Sequence, residues 1–212
     1  MRGEVAASAE RIRDALLEKG FSARSERGTG KASRYEELTG VAAPPEVVEL
    51  WSVLGGVDVA GMWLEDTDSA GQACAARARE AEESGPGVPY EELDGSTDGA
   101  VRMVWWDRGW CPLILTADNA IAVDGHPGEA GRIGQVVYCS FEVYSDREAV
   151  WESVAEFLGD VLTVISSEAL IIDDGYGLLR GDDGRTKTVM MAAVEIGRAR
   201  RDGRPSRFST VV

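Results

Sequence analysis

WCPLILTADNAIAVDGHPGEAGRIGQVV, from Trp110 to Val137, holds three short apolar runs separated by turn residues. Leu113, Ile114 and Leu115 form the first, and the chain turns at Asp118-Asn119. Ala120 to Val123 form the second, which ends at Asp124. A glycine-rich loop leads to the third, Ile133-Gly134-Gln135-Val136-Val137. Short β-type runs broken by turn residues predict an antiparallel meander. Gly128, Gly131 and Gly134 suit a loop that adopts positive φ or passes close to another backbone.

Outward from the meander, Val101–Trp106 predicts a strand that feeds it, with Asp107, Arg108 and Gly109 as the turn between. Alternation puts Trp105 and Trp106 on opposite faces, one entering the core and the other either lying under a helix or offering a binding platform. Tyr138–Tyr144 continues as strand or bend, and Ser145 with Glu148 predicts a capping box. The helix behind that box carries Val150, Trp151, Val154, Phe157, Leu158, Val161 and Leu162 at helical spacing. Leu170–Ile172 and Tyr176–Leu179, around Asp173-Asp174-Gly175, predict a hairpin. Val189–Ile196 predicts a short helix, and the arginine-rich chain from Gly197 is expected to be disordered.

On the other side, residues 4–19 predict an amphipathic helix and residues 22–34 a polar linker. Pro44-Pro45 opens a helix over Val47–Leu54 that Gly55-Gly56 closes, with Trp51 as a core anchor. Val57–Leu64 predicts a strand, and Glu65, Asp66 and Asp68 an exposed acidic patch. Residues 70–83 predict a second helix with charges along its solvated face. Ser84–Gly99 predicts a long acidic surface loop carrying Glu91, Glu92, Asp94 and Asp98.

Three of these stretches, in this order, resemble one family. They are YEELTGVAAPPEVVELWSVLGG at Tyr35–Gly56, Trp110-x-Pro112 with the Asp124 strand end and PGEAGRIGQV behind it, and a FLGDVL helix followed by DDGYGLL. The chain resembles the SUKH superfamily, in its branch of fungal cell-wall assembly regulators and their bacterial relatives. The resemblance frames roughly residues 35–180 and rests on Pro44, Pro45, Trp51, Gly55, Gly56, Trp110, Pro112, Asp124, Gly131, Gly134 and Gln135, for which it implies structural roles. It implies a non-enzymatic domain that binds proteins. Bacterial members are similar to immunity proteins that bind and block a toxin, and fungal members to regulatory scaffolds. Around the framed domain lie an N-terminal helix and linker (1–34), an extension (181–196) and a basic tail (197–212).

Charge favours a basic partner. The formal net charge is −15, and residues 198–212 carry five arginines and one aspartate, so the rest is more acidic still. Such a surface repels nucleic acid and attracts basic proteins, nuclease domains among them. Glu65, Asp66, Asp68, Glu91, Glu92, Asp94, Asp98 and the platform candidate Trp106 are the expected partner-binding residues. No apolar run approaches the ~20 residues of a membrane span, and the N-terminus lacks a signal-type apolar core, so a cytoplasmic protein is expected. Three cysteines without a C-x-x-C are expected to be buried thiols.

Catalysis finds little support. His126 is the only histidine and has no G-x-S-x-G elbow or other nucleophile signature to serve. GTGK at Gly28–Lys31 lacks the earlier glycine and the Ser/Thr of a phosphate loop. The Cys and His spacings do not fit a zinc knuckle. Asp124 is expected to accept amide protons from the Gly125–Gly131 loop rather than to react. The expectation is an α+β fold, an antiparallel sheet of about five to six strands with helices mainly on one face and at the edges, with no cofactor and no metal. A small-ligand site in the glycine-loop cleft is the remaining alternative.

Overall fold

The computed structural model describes residues 3–21, 31–83, 99–142, 147–173, 176–181, 183–206 and 208. In chain order these form α1 (Glu4–Glu18), α2 (Ala32–Thr39), α3 (Pro45–Leu54), β1 (Asp58–Val59), β2 (Met62–Trp63) and α4 (Thr67–Glu83). The meander follows as β3 (Trp110–Leu115), β4 (Asn119–Asp124), β5 (Val136–Ser140) and β6 (Arg147–Trp151). Then come α5 (Val154–Ser166), β7 (Leu170–Asp173), β8 (Tyr176–Arg180), β9 (Thr186–Thr188) and α6 (Val189–Arg201). The fold is α+β with antiparallel pairing throughout the described strands. These divide among three sheets: β1-β2, β3-β4-β5-β6 and β7-β8-β9.

The central sheet is buried on both faces. Successive side chains alternate between faces, and every residue of β5 and nearly every residue of β3 and β4 is buried. Pro112 lies on β3, an edge strand, where its missing N–H removes no ladder bond that the interior requires. The register of β3 against β4 shifts between Pro112 and Ile114, a bulge beside the proline. The Leu113 carbonyl accepts instead from Glu65 N (2.9 Å), which ties the β1-β2 hairpin to this edge.

Helices complete the core. α1 packs against α3 and α5, α2 against α4, α4 against β3, and α6 against α5 and β6. Trp151 and Phe157 meet edge-on at 5.0 Å between centroids, and Tyr35 lies 5.5 Å from Trp51. Each such buried ring contributes about 2–3 kcal/mol through area removed from water.

Several local expectations are corrected. Residues 147–151 are a strand, and the helix begins at Val154, capped by Ser153 instead of Ser145, which lies outside the described residues. Ser153 Oγ accepts from Glu156 N (3.3 Å), while Glu156 Oε2 accepts from Glu152 N (2.8 Å). The same S-x-x-E pattern occurs at 145 and 153, and Trp151 touches Phe157 across the strand–helix corner, so helical spacing mimicked one longer helix. Val57–Leu64 is not one strand. It folds back at Ala60 and Gly61, both at positive φ, where the Asp58 carboxylate accepts from Gly61 N.

Val101–Trp106 forms no strand. The buried Arg147 takes two of its carbonyls, donating from Nε to Val104 O (2.7 Å) and from Nη2 to Trp105 O (3.3 Å). Of the expected linker over 22–34, residues 22–30 lie outside the described residues, and its end is instead the start of α2 at Ala32. The expected disorder from Gly197 does not hold over the described part of the tail, because α6 continues to Arg201 and Phe208 is buried, while residues 207 and 209–212 lie outside the described residues. A Cβ on Gly197 would lie 2.5 Å from Val150 and 2.7 Å from the Trp151 ring, so this glycine is what lets α6 approach β6.

Candidate functional site

The glycine turn between β4 and β5 is built around Asp124, which is fully buried. Its Oδ1 accepts from the Trp110 indole (3.1 Å) and from His126 N (2.9 Å), and its Oδ2 from Gln135 Nε2 (2.9 Å). Backbone bonds from Asp124 N to Gln135 O and from Gly134 N to Asp124 O close the turn at its base. Burial pushes the Asp124 pKa up, and the Gln135 amide, the His126 N–H and the Trp110 indole pull it back. An acid with three neutral donors on it holds a loop.

The glycines make this turn possible by close approach. A Cβ on Gly128 would lie 2.2 Å from Gly99 O, and one on Gly131 2.1 Å from Ala100 O. Gly128 N and Ala130 N donate to these two carbonyls, so the loop is stitched to residues 99–100. Gly134 has φ +89°, which an L side chain rarely adopts. Just before it, Ile133 projects into solvent with 79% of its surface exposed.

His126 does not face Asp124 with its ring. Its Nδ1 lies 2.8 Å from Asp107 Oδ1, and the buried Asp107 also accepts from Gly109 N and Arg102. The imidazole thus covers the neighbouring turn. Burial pushes the thiols of Cys74, Cys111 and Cys139 up, Cys139 to about 12, which keeps them protonated and weakly nucleophilic. Among the described residues, no group of three or more His, Cys, Asp or Glu side chains could hold a metal ion. No described helix is long and apolar enough to cross a membrane.

Beside Ile133 lies a groove of about 580 Å³ between the glycine turn and the start of α3, lined by Pro44, Pro45, Val123 and Gly134. Glu46, Glu49 and Glu152 edge it, and Arg132 bridges to Glu152 at 2.7 Å.

The acids expected to contact a partner fall elsewhere. Glu65 and Asp66 are buried, and Asp66 Oδ1 accepts from the N–H groups of Asp68 and Ser69 at the start of α4. Asp68 is exposed and pairs with Arg34 at 3.3 Å. Trp106 is buried edge-on against Trp110, while Trp105 is the half-buried partner, lying against Phe141. Glu91, Glu92, Asp94 and Asp98 lie outside the described residues. The framework residues fare differently. Trp110, Asp124, Gly131, Gly134 and Gln135 meet in one network, while Pro44 and Pro45 form the opposite wall of the groove. Trp51, Gly55, Gly56 and Pro112 shape the core, the α3 end and the sheet edge. Sequence reasoning missed the groove acids Glu46, Glu49 and Glu152. Only the Pro-Pro helix start and the glycine turn hinted at them, and nothing local showed that the two adjoin.

A segment of 69 residues is 41% identical to a KNR4/SMI1 homolog of Yarrowia lipolytica. It covers 32% of this chain, and the chain spans only 10% of that protein. No family model matches the chain. Across just under a third of its length, then, the chain is similar to a KNR4/SMI1 homolog.

Proposed function

We propose that the chain is a non-enzymatic protein-binding module of the SMI1/SUKH type. Its finer role is to neutralise a basic toxin domain by direct binding, in the cytosol. The observation that carries the reading is Ile133, an exposed apolar side chain on a turn that Asp124, Gln135 and the backbone of residues 99–100 hold by hydrogen bonds. A rigid turn loses little conformational entropy on docking, which favours its use as a contact element. The net charge of −15 steers toward a basic face, and the partial likeness to a KNR4/SMI1 homolog supports a binding domain.

The test is to recover the tagged protein from its native host at low and then high salt, with bound proteins identified by mass spectrometry. A stoichiometric basic toxin domain whose toxicity is relieved on co-expression is the expected result. A housekeeping partner instead would make the chain a regulatory scaffold, the reading that the KNR4/SMI1 likeness favours. Recovery of no protein at either salt would sink both.

A further inference from the structure

We infer that the partner inserts a basic segment bearing one large aliphatic side chain into the groove beside Ile133. This rests on the protein-binding reading above and names the site and the chemistry it takes. The groove is apolar where Pro44, Pro45, Val123 and Ile133 form it, and at about 580 Å³ it falls within the roughly 300–1,000 Å³ of sites that enclose a compact ligand. Exposed apolar surface on a fixed turn gains nothing from this chain's own packing. It gains when a partner's aliphatic group covers it.

The rim specifies charge. Beyond Glu152 and Ser153 the groove continues into a depression of about 220 Å³ lined also by Glu4, Val5 and Glu156. Glu4, Glu46 and Glu156 are first-turn residues of α1, α3 and α5, so three helix starts converge here. The partial positive charge of each helix start offsets part of the repulsion among these carboxylates. Glu156 pairs with Arg200 and Glu152 with Arg132, and Glu49 accepts from Gly3 N. Glu4 and Glu46 have no ion pair among the described residues. The lining is therefore strongly acidic in excess of its one groove arginine, Arg132, and complements lysine and arginine flanking an apolar anchor.

The experiment uses a fluorescein-labelled peptide of lysines and arginines around a central leucine, its alanine counterpart, and anisotropy at low and high salt. The leucine peptide is expected to bind the full chain at low salt, at least fivefold tighter than the alanine peptide, and to weaken steeply with salt. Ile133→Asp and Glu46→Gln, both at side chains that reach the surface, are expected to weaken it, tenfold or more for Ile133→Asp and at least threefold for Glu46→Gln, while the chain stays folded with a melting temperature within a few degrees of wild type. Equal affinity for the leucine and alanine peptides, no binding at low salt, or binding untouched by both variants would overturn the inference. A host partner captured equally by wild type and both variants overturns the groove and leaves the protein-binding reading intact. Absence of any captured protein overturns that reading itself.

Discussion

Two polar clusters flank β5 and β6 and hold the molecule by different means. At the glycine turn, one buried carboxylate, Asp124, accepts from three neutral donors. At the α6 side, three arginines span to carboxylates on neighbouring elements. Arg198 and Arg201 reach Glu148, and Arg200 reaches Glu156 and Asp160. The first cluster is buried, and the Trp110 indole and His126 N–H have no second acceptor among the described residues, so losing Asp124 leaves both unsatisfied. The second is partly exposed, and water can replace what a mutation removes. The lesson is that the more numerous and more charged contacts are the weaker ones, because solvent competes for them.

The largest effect expected is therefore at Asp124. Asp124→Ala should destabilise the fold by about 4 kcal/mol, since it strands the Trp110 indole and the His126 N–H and leaves the Gln135 amide only its bond to Ala100 O. Urea unfolding in low and high salt would measure it, and the loss should be the same in both. A loss under about 1 kcal/mol would break the contrast, because it would mean that water reaches the turn.

Asp160 bridges the two behaviours. It accepts from the Trp151 indole (2.8 Å) and from Arg200, yet burial pushes its pKa up to about 6. A carboxyl whose folded pKa lies above its unfolded value binds its proton better in the native state. Its favourable contribution is then full below about pH 4 and is lost as pH rises through about 6. Wild-type stability, compared with Asp160→Asn, should fall by about 2–3 kcal/mol between those limits. A flat difference would show that Arg200 keeps the carboxylate ionised throughout and would place Asp160 with the surface pairs.

The glycines sharpen the picture at one turn. Gly131→Ala should cost about 2–3 kcal/mol because its Cβ meets the Ala100 carbonyl, while Gly134→Ala, strained in φ but with open space, should cost about 1 kcal/mol. Thermal melts of the two variants would rank them, and the reverse order would mean that residues 99–100 yield easily. Smallest of all, Arg201→Ala should cost about 0.5 kcal/mol at low salt and nothing measurable in 1 M salt, where charges are screened within about 3 Å. A larger, salt-independent loss would make the α6 side as dry as the glycine turn.

The sequence by itself determined the first two meander strands, the Pro-Pro helix, the terminal hairpin and the α+β class, while the third strand starts at Val136 because Ile133, Gly134 and Gln135 belong to the glycine turn. Each rests on a pattern local to a few residues: alternation, a proline that suits the first turn, a glycine that suits a break. It also marked Asp124 and the loop glycines, because an acid at a strand end before a glycine run has few other uses. Tertiary structure decided the rest. Arg147 diverts the carbonyls of residues 104 and 105 from any strand, Gly197 lets α6 dock where disorder was expected, and Asp66 is drawn inward to cap α4. The groove itself joins residues 44–49, 123, 132–134 and 152–153. No local pattern encodes it, because it arises only when helix starts far apart in the chain are packed around one turn.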